Sequence, residues 1–268
     1  MFIHCDYHLH THLSNDCETP MALQLKTAKE HGLTEVCFTD HLETDFPNLV
    51  GENLNFETYD KTLAALDRLG MTVRKGVENG LPCHKESYPK MVEELRSHHF
   101  DFILTSAHLV DDRDPYFPEY YEGGMTLHEA LNKYTSALYQ YLQWIPYDCY
   151  DAVGHIDYGA KFYPDPEARM HYADCPDQID AIFRHIIPEG KCIEINTSTY
   201  RTITGPIPGL DWLKRYKELG GEFVTIGSDA HLTKHVAFRL DEAAELARAA
   251  GIRYYATFED RKPILHKL

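Results

Sequence analysis

Apolar positions along the chain fall into two spacings that take turns. Short apolar or β-branched runs predict strands at Phe2 to Tyr7, Glu35 to Thr39, Thr72 to Val77, Phe102 to Ser106, Ala152 to His155, Cys192 to Asn196, Glu222 to Ile226 and Arg253 to Ala256. Between them lie amphipathic stretches of helical period, roughly Phe56 to Leu69, Ser87 to His98, Leu127 to Trp144, Gln178 to Ile187, Leu210 to Leu219 and Asp241 to Ala250. A further helix is predicted to open at Thr19-Pro20, with a hydroxyl cap before proline, and to stop near His31-Gly32.

Strand-then-helix units joined by short connections imply parallel strands with right-handed crossovers, and seven or eight in succession favour a closed α/β barrel with outer helices. An open doubly wound sheet is the structural alternative. No low-complexity tract, internal repeat or Gly/Ser linker marks a boundary, so residues 1–268 are expected to form one domain. Two loops are long, Leu109 to Met125, rich in Asp, Pro and Tyr, and Gly159 to Asp174. Each is a candidate cover for a site and equally ordinary variable surface.

Composition narrows the function. The chain is 43% hydrophobic and 25% charged, an ordinary globular mix. No apolar run approaches the roughly 20 residues needed to span a bilayer, and the first residues lack the basic and apolar segments of a secretory signal. A cytoplasmic protein with no membrane partner is expected. The seven cysteines form no C-x-x-C pair, which suits reduced thiols filling the core. A net charge of −16 argues against a nucleic-acid surface. It leaves a small anionic substrate open, because bound divalent cations invert the local potential of a site built from carboxylates and imidazoles.

Such a site is written into the chain from its start. The segment MFIHCDYHLHTHLSND puts Asp6, His8 and His10 at alternate positions, on one side of an extended strand. Further candidate ligands sit at the C-terminal ends of later strands: Asp40 and His41 in CFTDH, Glu78 in KGVE, His108 in LTSAH, His155 in VGHID, and Asp229 with His231 in TIGSDAH. In a parallel barrel those ends share the face where barrel enzymes place their chemistry. Histidines 31, 84, 98, 99, 171, 185 and 266 lie in helices or loops and read as surface or capping residues. Imidazoles mixed with carboxylates suit Zn, Mn or Fe at a catalytic centre. There are more such groups than one ion can use, so two or three metals are implied, with Glu78 able to bridge and Asp229 to complete a shell. Ions about 3.5–4 Å apart serve hydrolysis at phosphorus, where a bridging hydroxide attacks.

The motifs DYHLH, FTDH, GVE, SAH, GHID and SDAH, in this order, resemble the polymerase and histidinol phosphatase (PHP) superfamily of metal-dependent phosphoesterases, from Phe2 to about Phe258. The resemblance implies a distorted, TIM-like (β/α)7 barrel and three divalent ions. His8, His10, Glu78 and Asp229 would hold one, Glu78, His108 and His155 a second, and Asp16, His41 and His231 a third. Asp16 stands where other members carry His. CIEINTSTYR and GHIDYGAKF look like the histidinol-phosphatase branch, which makes Arg201 and Lys161 the candidate phosphate-binding residues; lysine keeps the charge of the arginine common near that position but loses its fork. Hydrolysis of the phosphate monoester L-histidinol phosphate is the expected reaction, with Glu78 at the centre and Asp229 or His231 protonating the leaving alkoxide. Asp6, Asp40 and Asp157 are expected to support the ligand imidazoles from behind, with helix capping the alternative for Asp40 and Asp157. The alternatives are another small phosphate ester or nucleotide as substrate, and a metal-binding regulatory protein without turnover.

Overall fold

A computed structural model describes residues 3–47, 49, 53–165, 171–202 and 205–268. Phe2, at the start of the first expected strand, and residues 166–170 of the second long loop lie outside that set. The strands are β1 (Cys5–Leu9), β2 (Glu35–Phe38), β3 (His41–Glu43), β4 (Thr72–Gly80), β5 (Phe102–Ser106), β6 (Ala152–Val153), β7 (Cys192–Asn196), β8 (Phe223–Gly227), β9 (Tyr254–Glu259) and β10 (Lys262–Lys267). The helices are α1 (Met21–Glu30), α2 (Phe56–Ala65), α3 (Tyr88–Ser97), α4 (Leu127–Trp144), α5 (Tyr158–Lys161), α6 (Pro176–Ile186), α7 (Leu210–Glu218) and α8 (Leu240–Ala249).

Pairing is parallel in the order β1-β2-β4-β5-β6-β7-β8-β9, and only β10 runs antiparallel, on β9. The first strand of the run also meets the chain just past β8, with β9 lying beyond that seam. Leu9 bridges Ala230 in parallel, and the amide of Asp229 donates to His8 O at 2.9 Å while that of His10 donates to Ala230 O at 3.1 Å. The strands therefore wrap into the distorted α/β barrel expected, with helices outside.

Buried strands read as near-continuous apolar runs because both faces are covered, as FILTS in β5 and CIEIN in β7 are here. α4 shows how the outer layer docks. Thr126 and Glu129 form a reciprocal capping box, and Ala130, Leu131, Tyr134, Leu138, Tyr141 and Leu142 bury one helical stripe. Fully burying one such leucine contributes about 1.5–3 kcal/mol.

Three local expectations are corrected. β3 and β10 were not legible as strands, and α5 runs into the start of the stretch from Gly159 expected to be loop. Thr19 does not cap α1; Pro20 occupies the cap position without a side-chain bond, and the Thr19 hydroxyl donates to His231 O at 2.9 Å. Among the described residues no helix is long and apolar enough to cross a membrane.

Candidate metal centre

The chemistry gathers where the strands end. β1 delivers His8 and His10, and does so through an irregularity: Asp6 pairs with Val36 but Leu9 with Phe38, three steps against two. Such a slip breaks simple alternation. His8 and His10 converge, with Nε2 atoms 2.9 Å apart, whereas Asp6 leaves them. Its carboxylate accepts from the amides of Ser228 at 2.9 Å and Ala237 at 3.0 Å, tying β1 to the chain beyond β8. The expectation that all three side chains share one face is corrected accordingly.

Glu78, fully buried near the end of β4, stands at the middle. Its Oε1 lies 2.8 Å from His155 Nε2 and 3.3 Å from His108 Nε2, and accepts from Ser106 Oγ at 2.6 Å. Its Oε2 lies 3.0 Å from His8 Nε2, 3.2 Å from His41 Nδ1 and 3.4 Å from His10 Nε2. The two oxygens thus face two different groups of imidazoles. Asp229 Oδ1 adds a carboxylate 3.6 Å from His10 Nε2. Asp229 itself is held at φ 53°, a left-handed conformation that costs a non-glycine residue energy. Nearer solvent, Asp16 Oδ2 lies 3.1 Å from His231 Nε2 and 3.5 Å from His41 Nε2.

Hydrogen bonds on the far side of the rings fix what these nitrogens are. His8 Nδ1 meets Glu194 Oε1 at 2.6 Å, His108 Nδ1 meets Glu43 Oε1 at 2.6 Å, and His231 Nδ1 meets Asp229 O at 3.2 Å. His10 Nδ1 donates to Ser14 Oγ at 3.1 Å, and that hydroxyl in turn donates to Asp40 at 2.8 Å. Carboxylates and carbonyls only accept, so in the neutral form of these rings the proton sits on Nδ1 and Nε2 turns a lone pair inward. Lone pairs then face lone pairs and carboxylate oxygens in a buried space, an arrangement that needs cations to be stable. Three donor triads have all their ligand atoms within 4.8 Å of one another: His8, His10 and Asp229; His41, Glu78 and His108; and His10, His41 and His231. The donor set, nitrogen and oxygen without sulfur, fits hard to borderline divalent metals.

The electrostatics agree. Burial opposes charge on Glu78, yet His8, His108 and His41 outweigh it and hold the carboxyl well below its usual range. Asp229 is held low against burial by Lys161 and His8, and Asp16 by His41 and His231. Burial disfavours a charged His41, but Asp16 and Glu78 push it up to about 9. His10 goes the other way, held well below its range by burial and by the neighbouring His231 and His41. A field that pulls protons onto some imidazoles pulls a divalent ion more strongly.

The cluster opens into a cleft of about 890 Å³ whose lining includes Lys161, Arg201 and the loop Leu109 to Met125. Lys161 Nζ bonds Asp229 Oδ2 at 3.1 Å. Arg201, on a single 3₁₀ turn after β7, donates Nη2 to Asp229 O at 3.2 Å and has Nη1 buried with no partner. Asp40 reaches the cluster through Ser14, as an orienting group does. Asp157 does not: its Oδ1 and His155 Nδ1 both lack partners, and burial pushes its carboxyl up to about 8.

Sequence reasoning missed Glu43 and Glu194. Glu43 is two residues beyond His41 on β3, the alternation that places both on one side, and Glu194 is a lone charge inside the buried run CIEIN. Both need space. A Cβ on Gly80 would strike the Glu43 carboxylate, and one on Gly227 would strike His8 Cβ and Glu194 Oε1.

The family model for the PHP domain matches residues 6–198. Over 260 residues the chain is 29% identical to a histidinol-phosphatase of Lactococcus lactis subsp. lactis, covering 96% of this chain and 95% of the relative. A probable histidinol-phosphatase of Thermotoga maritima is 26% identical over 266 residues, 98% of this chain and 99% of that one. The crystal structure of the Lactococcus lactis histidinol phosphate phosphatase, complexed with zinc, L-histidinol and phosphate, aligns at a TM-score of 0.85 and 28% identity over 97% of this chain and 98% of that one.

Proposed function

This chain belongs to the PHP family, and from that premise we propose that it is a metal-dependent phosphatase that hydrolyses L-histidinol phosphate to L-histidinol and phosphate. The observation that carries the reading is the ring of imidazole nitrogens and carboxylate oxygens around Glu78, opening into a cleft lined by Lys161 and Arg201. Full-length similarity to histidinol-phosphatases supports the substrate.

In this reading three divalent ions are held by His8, His10, Glu78 and Asp229, by Glu78, His108 and His155, and by Asp16, His41 and His231. When bound, such ions lower the pKa of water and neutralise charge developing at phosphorus. The chain's own residues do the rest. Glu194, Glu43 and the Ser14–Asp40 pair fix imidazole tautomers and orientations before substrate arrives. Arg201, with an unpartnered buried Nη1, and Lys161 bind phosphoryl oxygens; Lys161 exchanges Asp229 for the phosphate. Of the two expected acids, Asp229 is held well below its usual range and carries no proton to give, which leaves His231 as the candidate acid for the leaving alkoxide.

A specific observation favours an aminated substrate over other phosphate esters. Asp114 lines the same cleft, accepts from Tyr116 N at 2.8 Å and Tyr158 OH at 3.3 Å, and forms no ion pair among the described residues. Its carboxyl is pushed up by burial, so a substrate ammonium would relieve it. The test is kcat/KM of the metal-loaded protein for L-histidinol phosphate beside p-nitrophenyl phosphate and a nucleoside monophosphate. The reading expects a preference on the order of several hundredfold, since a buried polar site rejects ligands that leave its groups unpaired. Equal turnover of all three would reject it.

A further inference from the structure

Outside the buried cluster, one other set of metal-donor atoms converges among the described residues. Cys83 and His84 follow β4, just after Pro82, and Asp112 comes from the loop Leu109 to Met125. Cys83 Sγ lies 3.2 Å and His84 Nε2 2.9 Å from the same oxygen, Asp112 Oδ1. Around a zinc-sized ion, tetrahedral edges between sulfur, nitrogen and oxygen donors are about 3.3–3.5 Å, so a few tenths of an ångström of widening would admit one. Cys83 is also the one cysteine of the seven that is not buried.

We propose that Cys83, His84 and Asp112 form a rim site for a thiophilic divalent cation of the zinc class, with three protein donors and one open position. The site joins two segments that no strand pairing connects. Asp112 lines the cleft beside Asp114, Tyr116 and Phe117 of its own loop, so an ion held there clamps the cleft's outer wall to the end of β4. The donor chemistry separates it from the buried centre, which has no sulfur. Binding exchanges one proton for the metal, Cys–SH plus M²⁺ giving Cys–S–M⁺ plus H⁺. Because the thiol must give up that proton, binding is favoured at higher pH.

The test is to load the buried centre of the full chain with Mn and then titrate Co²⁺. Wild type is expected to develop a saturable near-ultraviolet thiolate-to-cobalt charge-transfer band at one equivalent, erased by added Zn²⁺. Cys83→Ser is expected to lose the band and His84→Ala to weaken it, both with unchanged circular dichroism. Zn²⁺ should also slow proteolysis within residues 109–125 in wild type and not in Cys83→Ser. A band that never forms in wild type, or that persists in Cys83→Ser, overturns the site; a band without protease protection overturns the clamp.

Discussion

The barrel buries acidic side chains at both ends, and the two ends treat them oppositely. At the N-terminal end each meets a donor: Glu35 accepts from Arg74 at 3.0 Å and from Tyr7 OH at 2.6 Å, and Asp151 pairs with Arg261 while accepting from Ile103 N at 2.8 Å. β9 packs into this end, where Phe258 N donates to Tyr7 OH at 2.7 Å. At the C-terminal end Glu78 accepts from Ser106 and Asp229 pairs with Lys161, but most of what they and Asp16 meet is imidazole, with the Nδ1 sides of His8, His108, His10 and His231 turned away to Glu194, Glu43, Ser14 and a carbonyl. One end satisfies its charges internally and holds the fold; the other leaves acceptors for something else to satisfy, the division of labour usual in barrels.

That contrast can be broken from the largest effect downward. Glu78→Ala removes the carboxylate both imidazole groups share and should cut kcat/KM by about 10³-fold or more, several kcal/mol of lost charge stabilisation, with the chain still folded by circular dichroism. Arg201→Ala should lower kcat/KM by about 10²–10³-fold with metal content unchanged. A value equal to wild type would remove Arg201 from the phosphate site. Glu194→Gln should lower metal affinity or activity by about 10–100-fold, chiefly through the His8 tautomer and also through the His155 amide that Glu194 holds. Asp151→Asn at the opposite end should leave kcat/KM where it was and lower stability by about 1–3 kcal/mol in urea denaturation, since the arginine side chain it abandons is 25% exposed and water softens the loss.

The two ends also differed in how readily the sequence revealed them. The barrel and the strand ends where imidazoles and carboxylates gather were legible because each rests on local pattern: apolar runs, helical stripes, and His or Asp placed just past a run. Glu194 and Glu43 escaped because their roles depend on contacts 186 and 65 residues away along the chain. Asp6 was misplaced because a slip between β1 and β2 is set by pairing rather than by composition. Asp157 looked like an orienting group by adjacency to His155, yet adjacency in sequence does not aim a side chain. β10 stayed hidden because KPILHK is exposed along most of its length and exists as a strand only through β9.

The central claim is that the acceptors around Glu78 exist to hold cations, and metal stoichiometry tests it most directly. Manganese, a hard ion that disfavours the thiol-containing rim, is the suitable probe. After loading and exhaustive dialysis, the account predicts three Mn per wild-type chain and at most one in Glu78→Ala, the one held by Asp16, His41 and His231. A Glu78→Ala chain that retains as much manganese as wild type would contradict it.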